Sequence, residues 1–158
     1  RDRLRSRGLG DVYKRQILQG NPIGKIIFDM RNNGGGNSAQ GTAFIERLAG
    51  FLKQHPGIKT YVVIGRSTFS SAILNTMDFK HLTDAVVVGE QTAGKPNHFG
   101  EVRSFQLPGS KLTVAYSTKY FRRTDEEANT ITPDVRIEMS FADFTKGIDP
   151  VYEWIKAQ

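Results

Sequence analysis

Three short segments hold the residue types that nucleophilic chemistry needs. The first is Thr68-Phe69-Ser70-Ser71-Ala72. Where a strand turns into a helix, a serine projects its hydroxyl at the helix N-terminus, and the dipole and unpaired N–H groups there favour developing negative charge. A serine in that place can equally serve as a helix cap. The second is Asp29-Met30-Arg31-Asn32-Asn33-Gly34-Gly35-Gly36. Consecutive glycines let backbone N–H groups approach a ligand closely, which suits an oxyanion hole or an anion nest. The plain alternative is a flexible turn in which Asp29 bonds its own backbone. The third is Gly89-Glu90-Gln91-Thr92-Ala93-Gly94-Lys95-Pro96. It nearly spells a phosphate-binding loop, but the residue after the lysine should be Ser or Thr to hold magnesium and should open a helix. Pro96 stands there, and Asn97-His98-Phe99-Gly100 has no helical pattern, so a nucleotide site is disfavoured.

Each segment follows a run that reads as a buried strand: Lys25–Met30, Tyr61–Gly65 and Ala85–Val88. Between the first two, Phe44, Ile45, Leu48, Phe51 and Leu52 recur at helical spacing over Ser38 to about Gln54; Asn37 or Ser38 can cap that helix and Pro56-Gly57 stop it. A second helix runs through Ile73, Met77 and Leu82. Val102–Leu107 and Leu112–Phe121 read as a hairpin across Pro108-Gly109, a dipeptide suited to a type II turn. There Leu112, Val114 and Tyr116 alternate with Lys111, Thr113 and Ala115, so one face is expected to be the more buried. Ile131–Ile137 reads as a short strand. The closing helix has Asp149 as N-cap and Pro150 as its first residue, with Val151, Trp154 and Ile155 as the apolar stripe. Strand–helix–strand repeats with continuous apolar strands mean an α/β fold with a mainly parallel sheet, in one domain, and ligands collect at the carboxyl ends of such strands.

Composition narrows the classes further. None of the 158 residues is cysteine, which excludes disulfides, thiolate metal sites and cysteine nucleophiles. No apolar run approaches the ~18 residues of a membrane helix, and there is no heptad or internal repeat. The formal charge is +6, of which residues 1–16 carry +4 (five Arg and one Lys against Asp2 and Asp11), leaving +2 for 17–158. Those sixteen residues resemble a translated sequencing adapter. They are expected to be non-native and the protein truncated at its N-terminus, so the basic balance is no argument for a nucleic-acid partner.

Taken in order, DMRNNGGG, TFSSA and GEQTAGKPN resemble the tail-specific (carboxyl-terminal processing) and tricorn-core serine peptidases. The likeness extends from Lys25 through ITPDV to the closing GIDPVYEW. It implies a crotonase/Clp-protease-like α/β spiral, with residues 17–158 forming part of a catalytic core, and hydrolysis of peptide or protein substrates through a serine acyl-enzyme. No metal or organic cofactor is implied. Ser70 matches the nucleophile, Lys95 the downstream lysine base, Ser71 the backbone N–H after the nucleophile, and Gly35 the second oxyanion donor. A lysine acts as base only when neutral, which requires its pKa to fall from ~10.4 toward ~7, roughly 4–5 kcal/mol of environmental bias.

Two positions depart from the processing proteases: Ile73 stands where Glu is usual, and Pro96 where glycine is usual. Both lean toward the tricorn-like branch, whose base is an upstream histidine supported by a glutamate. Glu127, six residues before Pro133, matches that glutamate, and the histidine would precede Ile17. His98 reads as a loop histidine and Asp78 as a surface helix residue. Tyr116, Tyr120 and Phe121 fit cross-strand packing better than a substrate groove. A catalytically inactive, peptide-binding member of the fold is the alternative. Relatives of this family are often exported, so the resemblance suggests an exported or periplasmic protein; oligomeric state and compartment are not readable.

Overall fold

The computed structural model describes residues 23–158, so the reading of residues 1–16 lies outside it. Four strands form a parallel sheet in the order β1-β2-β3-β6: β1 (Lys25–Asp29), β2 (Lys59–Ile64), β3 (Val86–Gly89) and β6 (Val135–Arg136). The register pairs Ile27 with Tyr61, Val63 with Val88, and Val88 with Val135. Helix α1 (Ser38–Gln54) carries the chain from β1 to β2, and α2 (Ser71–Leu82) from β2 to β3.

β2 is the centre of the core because neighbouring strands flank it on both edges and both its faces are covered. Val62 and Ile64 pack with Ile45 and Leu48 of α1 and with Ile73 and Phe79 of α2. Tyr61 and Val63 face the other way, against Val88, Val151 and Ile155. The last two belong to the closing helix α4 (Pro150–Ala157). Each fully buried aliphatic side chain contributes about 1.5–3 kcal/mol of transfer free energy, which anchors three layers around one strand.

The caps agree with the sequence. Asn37 accepts the Ala39 N–H at 3.1 Å and starts α1. Asp149 accepts the Val151 and Tyr152 N–H groups, each at 3.1 Å, and starts α4.

The structure corrects four local expectations. Only Val135–Arg136 of the segment 131–137 is strand. A short helix, α3 (Phe141–Lys146), was not foreseen; Ser140 caps it, and Gly147 at φ +66 ends it. The hairpin strands are β4 (His98–Gln106) and β5 (Thr113–Phe121). Their turn is not type II, because Gly109 is not among the positive-φ residues. Lys111, at φ +60, takes the left-handed position instead, and its N–H donates to the Leu107 carbonyl at 3.0 Å. The expected buried face of the hairpin is in solvent: Leu112 is 65% and Tyr116 47% exposed.

Candidate active site

The segments singled out for chemistry meet at the carboxyl ends of β1, β2 and β3. After β2 the chain makes a tight turn in which the Thr68 N–H donates to the Gly65 carbonyl at 2.9 Å. The buried Thr68 hydroxyl accepts the Gly65 N–H at 3.0 Å and donates to the Met30 carbonyl at 2.8 Å. One threonine thus ties the end of β1 to the turn after β2.

Ser70 follows, half-buried, at φ 53 and ψ −123. Non-glycine residues reach that region only under constraint, at a cost of about 1–3 kcal/mol. Ser70 is the N-cap residue of α2, yet its side chain makes no capping hydrogen bond. Its carbonyl accepts the Ile73 and Leu74 N–H groups instead, at 2.9 and 3.2 Å. The hydroxyl is therefore not spent on capping, and it sits where the first-turn N–H groups of a helix have no intrahelical acceptor. Ser71 supplies the first of those.

The glycine loop is stitched directly onto this elbow. The Phe69 N–H donates to the Asn33 carbonyl at 3.0 Å, and the Ser71 hydroxyl donates to the Gly36 carbonyl at 2.6 Å. Gly35, at φ +107, lies so close that a Cβ there would stand 2.7 Å from the Ser70 Cβ and 3.0 Å from the Ser71 nitrogen. Only glycine fits. The Gly35 N–H itself donates to the Asn33 side-chain oxygen at 3.0 Å, a turn-forming bond from an exposed asparagine.

The glycine–lysine loop packs from the other side. A Cβ on Gly94 would meet Ile73 Cδ1 at 2.8 Å and Phe69 at 3.3 Å. Ile73, 1% exposed, thus gives this loop an apolar seat. Buried Thr92 locks the loop from behind: its hydroxyl donates to the Gly94 carbonyl and accepts the Ile131 N–H, both at 2.9 Å. After Lys95 the chain enters β4 rather than a helix, unlike a phosphate-binding loop.

The remaining sequence-derived residues are placed differently. Lys95 is exposed, and Glu127 is exposed in the loop after β5. Among the described residues neither makes a hydrogen bond or ion pair with Ser70. His98 opens β4, its ring nitrogen 2.9 Å from the Lys95 carbonyl.

Asp78 is not a surface residue. It is 7% exposed and accepts the Thr42 hydroxyl at 2.6 Å and the Asn75 amide at 3.1 Å; Arg123 Nε stands 3.2 Å away. Asn75 also donates to the Ser38 carbonyl at 3.0 Å. This polar network joins α2 to α1 and to the strand exit at Arg123, fixing the helix whose first turn carries the serine. The readable signal was Gly41 inside the first turn of a helical pattern, a mark of close approach. A Cβ there would lie 2.1 Å from the Asn75 amide oxygen.

Arg31 anchors the opposite flank. Its guanidinium reaches Asp29 at 2.6 Å and Asp149 at 2.7 Å, linking the glycine loop to the cap of α4. The Arg31 hydrogen bond holds the Asp29 carboxyl below the usual carboxylate range. Burial pushes Asp149 up, but the bonds from Arg31 and from its own helix N–H groups outweigh it and leave that carboxyl lowered too. A cleft of about 250 Å³ opens beside Arg31, between Asn32, Arg66, Glu90 and Met139. A larger one, about 860 Å³, lies at the opposite end of the sheet, between Lys53, Thr60, Leu82 and Trp154.

Comparison with known proteins gives the family and the fold. The family model of peptidase family S41 matches residues 11–137. The chain belongs to peptidase family S41. Comparison with curated proteins gives no match. Among solved structures, the chain is similar to a candidate peptidase from Parabacteroides merdae ATCC 43184, at TM-score 0.70 and 19% identity over 95% of this chain and 55% of that one. It is also similar to the photosystem II D1 C-terminal processing protease, at TM-score 0.59 and 18% identity over 86% of this chain and 40% of that one. The tricorn protease matches at TM-score 0.56 and 20% identity, over 84% of this S41 chain and 14% of the larger one. These likenesses establish the α/β fold expected from the sequence, and the chain spans about half the length of the first of them.

Proposed function

We propose that this S41 chain carries the nucleophile end of a serine peptidase acting on peptide or protein substrates, of the carboxyl-terminal processing kind. The Ser70 oxygen attacks the scissile carbonyl carbon while its proton passes to a base. The resulting alkoxide is held by the Ser71 N–H and, once the exposed Asn33 side chain swings aside, by the Gly35 N–H. Collapse expels the amine, which takes the proton from the base, and leaves an acyl-Ser70 ester that water hydrolyses. The base is Lys95, or a histidine upstream of Ile17 supported by Glu127. The observation that carries the reading is the constrained backbone of Ser70 with its hydroxyl left out of the helix cap.

The exposure of Lys95 and the lack of any bond from it to Ser70 favour keeping a second reading, a peptide-binding member that does not cut. A fluorophosphonate probe separates the two. Covalent labelling of the wild-type chain, mapped to Ser70 and lost in Ser70→Ala, supports the peptidase. A folded chain that binds peptides and takes no label supports the second. Lys95→Ala then assigns the base: near-total loss of turnover means Ser–Lys chemistry, and retained turnover means the histidine branch.

A further inference from the structure

The loop that carries Lys95 is fastened on both flanks. On one, the carbonyl of buried Thr92 accepts the Thr130 hydroxyl at 2.6 Å, and its hydroxyl accepts the Ile131 N–H. On the other, the Asn97 side chain brackets the exit of β5. Its oxygen accepts the Arg123 and Thr124 N–H groups at 2.7 and 3.2 Å, and its amide donates to the Thr124 carbonyl at 2.8 Å. Buried Pro96 joins that bracket to the lysine. A proline fixes its own φ and keeps the residue before it out of the helical region, so the backbone of Lys95 is confined from its C-terminal side. His98 adds a third restraint. The Lys95 carbonyl can only accept, so the His98 Nδ1 that lies 2.9 Å from it carries the proton and donates.

The bracket is tied in turn to the helix that opens at Ser70. Arg123 reaches back to α2, where its Nε lies 3.2 Å from Asp78 Oδ1. The other carboxylate oxygen is already taken by Thr42 and Asn75. The buried Nε has no aligned hydrogen-bond partner among the described residues, so charge holds this contact. Water screens such a sheltered pair little, and removing one partner leaves a buried charge uncompensated, so the pair resists separation. A continuous path thus runs from Ser70 about 12 Å down α2 to Asp78, across to Arg123, and back through Asn97 to Lys95.

We propose that Asn97 and Arg123 are positioning residues of the peptidase site, forming with Asp78 a strut that holds the Lys95 backbone at a fixed offset from the Ser70 turn. The role rests on the reading of Ser70 as nucleophile and Lys95 as base; the strut itself does not. Gly94 rests on Ile73, but an apolar seat is non-directional and does not fix which way the loop runs. The strut supplies the direction. An exposed lysine gives up rotamer freedom to reach a nucleophile, and a backbone already fixed leaves only the side chain to be ordered. Displacing a reacting group by about 1 Å can cost about 100-fold in rate. Pro96 gains its reason here: a glycine would let the Lys95 loop turn freely, whereas proline backed by Asn97 holds it.

Backbone order, from NMR relaxation, and peptide turnover are measured on the same variants. In the wild-type chain the order parameters of Lys95 and Asn97 should stand at about 0.85, as in rigid backbone. Asn97→Ala and Arg123→Gln should each lower them below about 0.6, while Ser71 and Ala72 stay rigid. In both variants kcat should fall at least about tenfold with KM within about twofold, because the strut acts through Lys95 and not on substrate. Arg123→Lys keeps the charge and should restore most of the turnover. Lys80→Gln cuts the 2.7 Å ion pair to Asp134, which ties the same helix elsewhere, and should change neither readout. Lys95 already mobile in the wild type, or unchanged order there in both variants, overturns the strut whatever turnover does. An equal loss of order at Ser71 and Ala72, or of kcat in Lys80→Gln, overturns it too. Lost order with full turnover overturns the positioning role. A wild type that neither cleaves nor takes a fluorophosphonate label defeats the peptidase reading alone, and the order parameters still decide the strut.

Discussion

The elbow at Ser70 and the hairpin beyond Lys95 are held by opposite means. At the elbow, every neighbour is specified: Asn33, Gly36 and Thr68 each give a hydrogen bond across chain segments, and Gly35 fits with no room for a methyl group. In the hairpin, two nine-residue strands pair, among the described residues, with each other alone, and Asn97 clamps their two ends together by accepting the Arg123 N–H. The contrast shows where this sequence tolerates no change and where it still has surface to offer. Positive φ alone does not separate the two, since Glu101 and Lys111 of the hairpin share it; what separates them is the set of bonds from distant segments around Ser70.

Four measurements sharpen or break that contrast, in falling order of expected effect. Gly35→Ala adds a methyl 2.7 Å from Ser70 Cβ at a positive φ, so urea unfolding should show a loss of about 2–4 kcal/mol. A loss below about 0.5 kcal/mol would mean the loop is loosely held. Asp78→Ala strands Arg123 and two polar donors, and about 1–3 kcal/mol should go. Asp78→Ala combined with Arg123→Ala should recover part of it; strict additivity would dissolve the network.

Third comes acid. Asp29 and Asp149 are both held below their ordinary range, so their contribution to stability is fully present above the unfolded carboxylate value. It is lost as pH falls below about 4, through the lowered folded values. Solvent screens these half-exposed groups, so the effect is at most about 1 kcal/mol. Arg31→Ala should flatten the stability-against-pH curve in that window, and an unchanged curve rejects the Arg31 bridge. Last, Gly109→Ala at the hairpin tip meets no atom within 4 Å, and stability should stay within about 0.5 kcal/mol. A larger change would show that the tip is as constrained as the elbow.

The parallel strands, the two crossover helices and both caps were legible because periodicity and cap chemistry are local properties. The turn that holds Ser70 was legible because a buried strand run passes through small residues into a helical pattern, while the nucleophile role assigned to it came from the resemblance. The contact between Gly35 and Ser70 was legible only as a resemblance, since it joins segments 35 positions apart. Asp78 was misread because a carboxylate on a helix is usually solvated, and its partners Thr42 and Arg123 come from distant segments. The hairpin was misjudged for a related reason: alternation says which side chains share a face, while burial depends on what stands opposite.

The hydroxyl bridge from Ser71 to Gly36 spans 35 positions, and that from Thr68 to Met30 spans 38. Neither can close until the β1–α1–β2 crossover has brought the two strands side by side, a slow, long-range event. A nascent chain therefore holds no assembled elbow until Ser71 has left the ribosome. Parting β1 from β2 therefore undoes the bend at Ser70 as well, although Ser70 lies in neither strand.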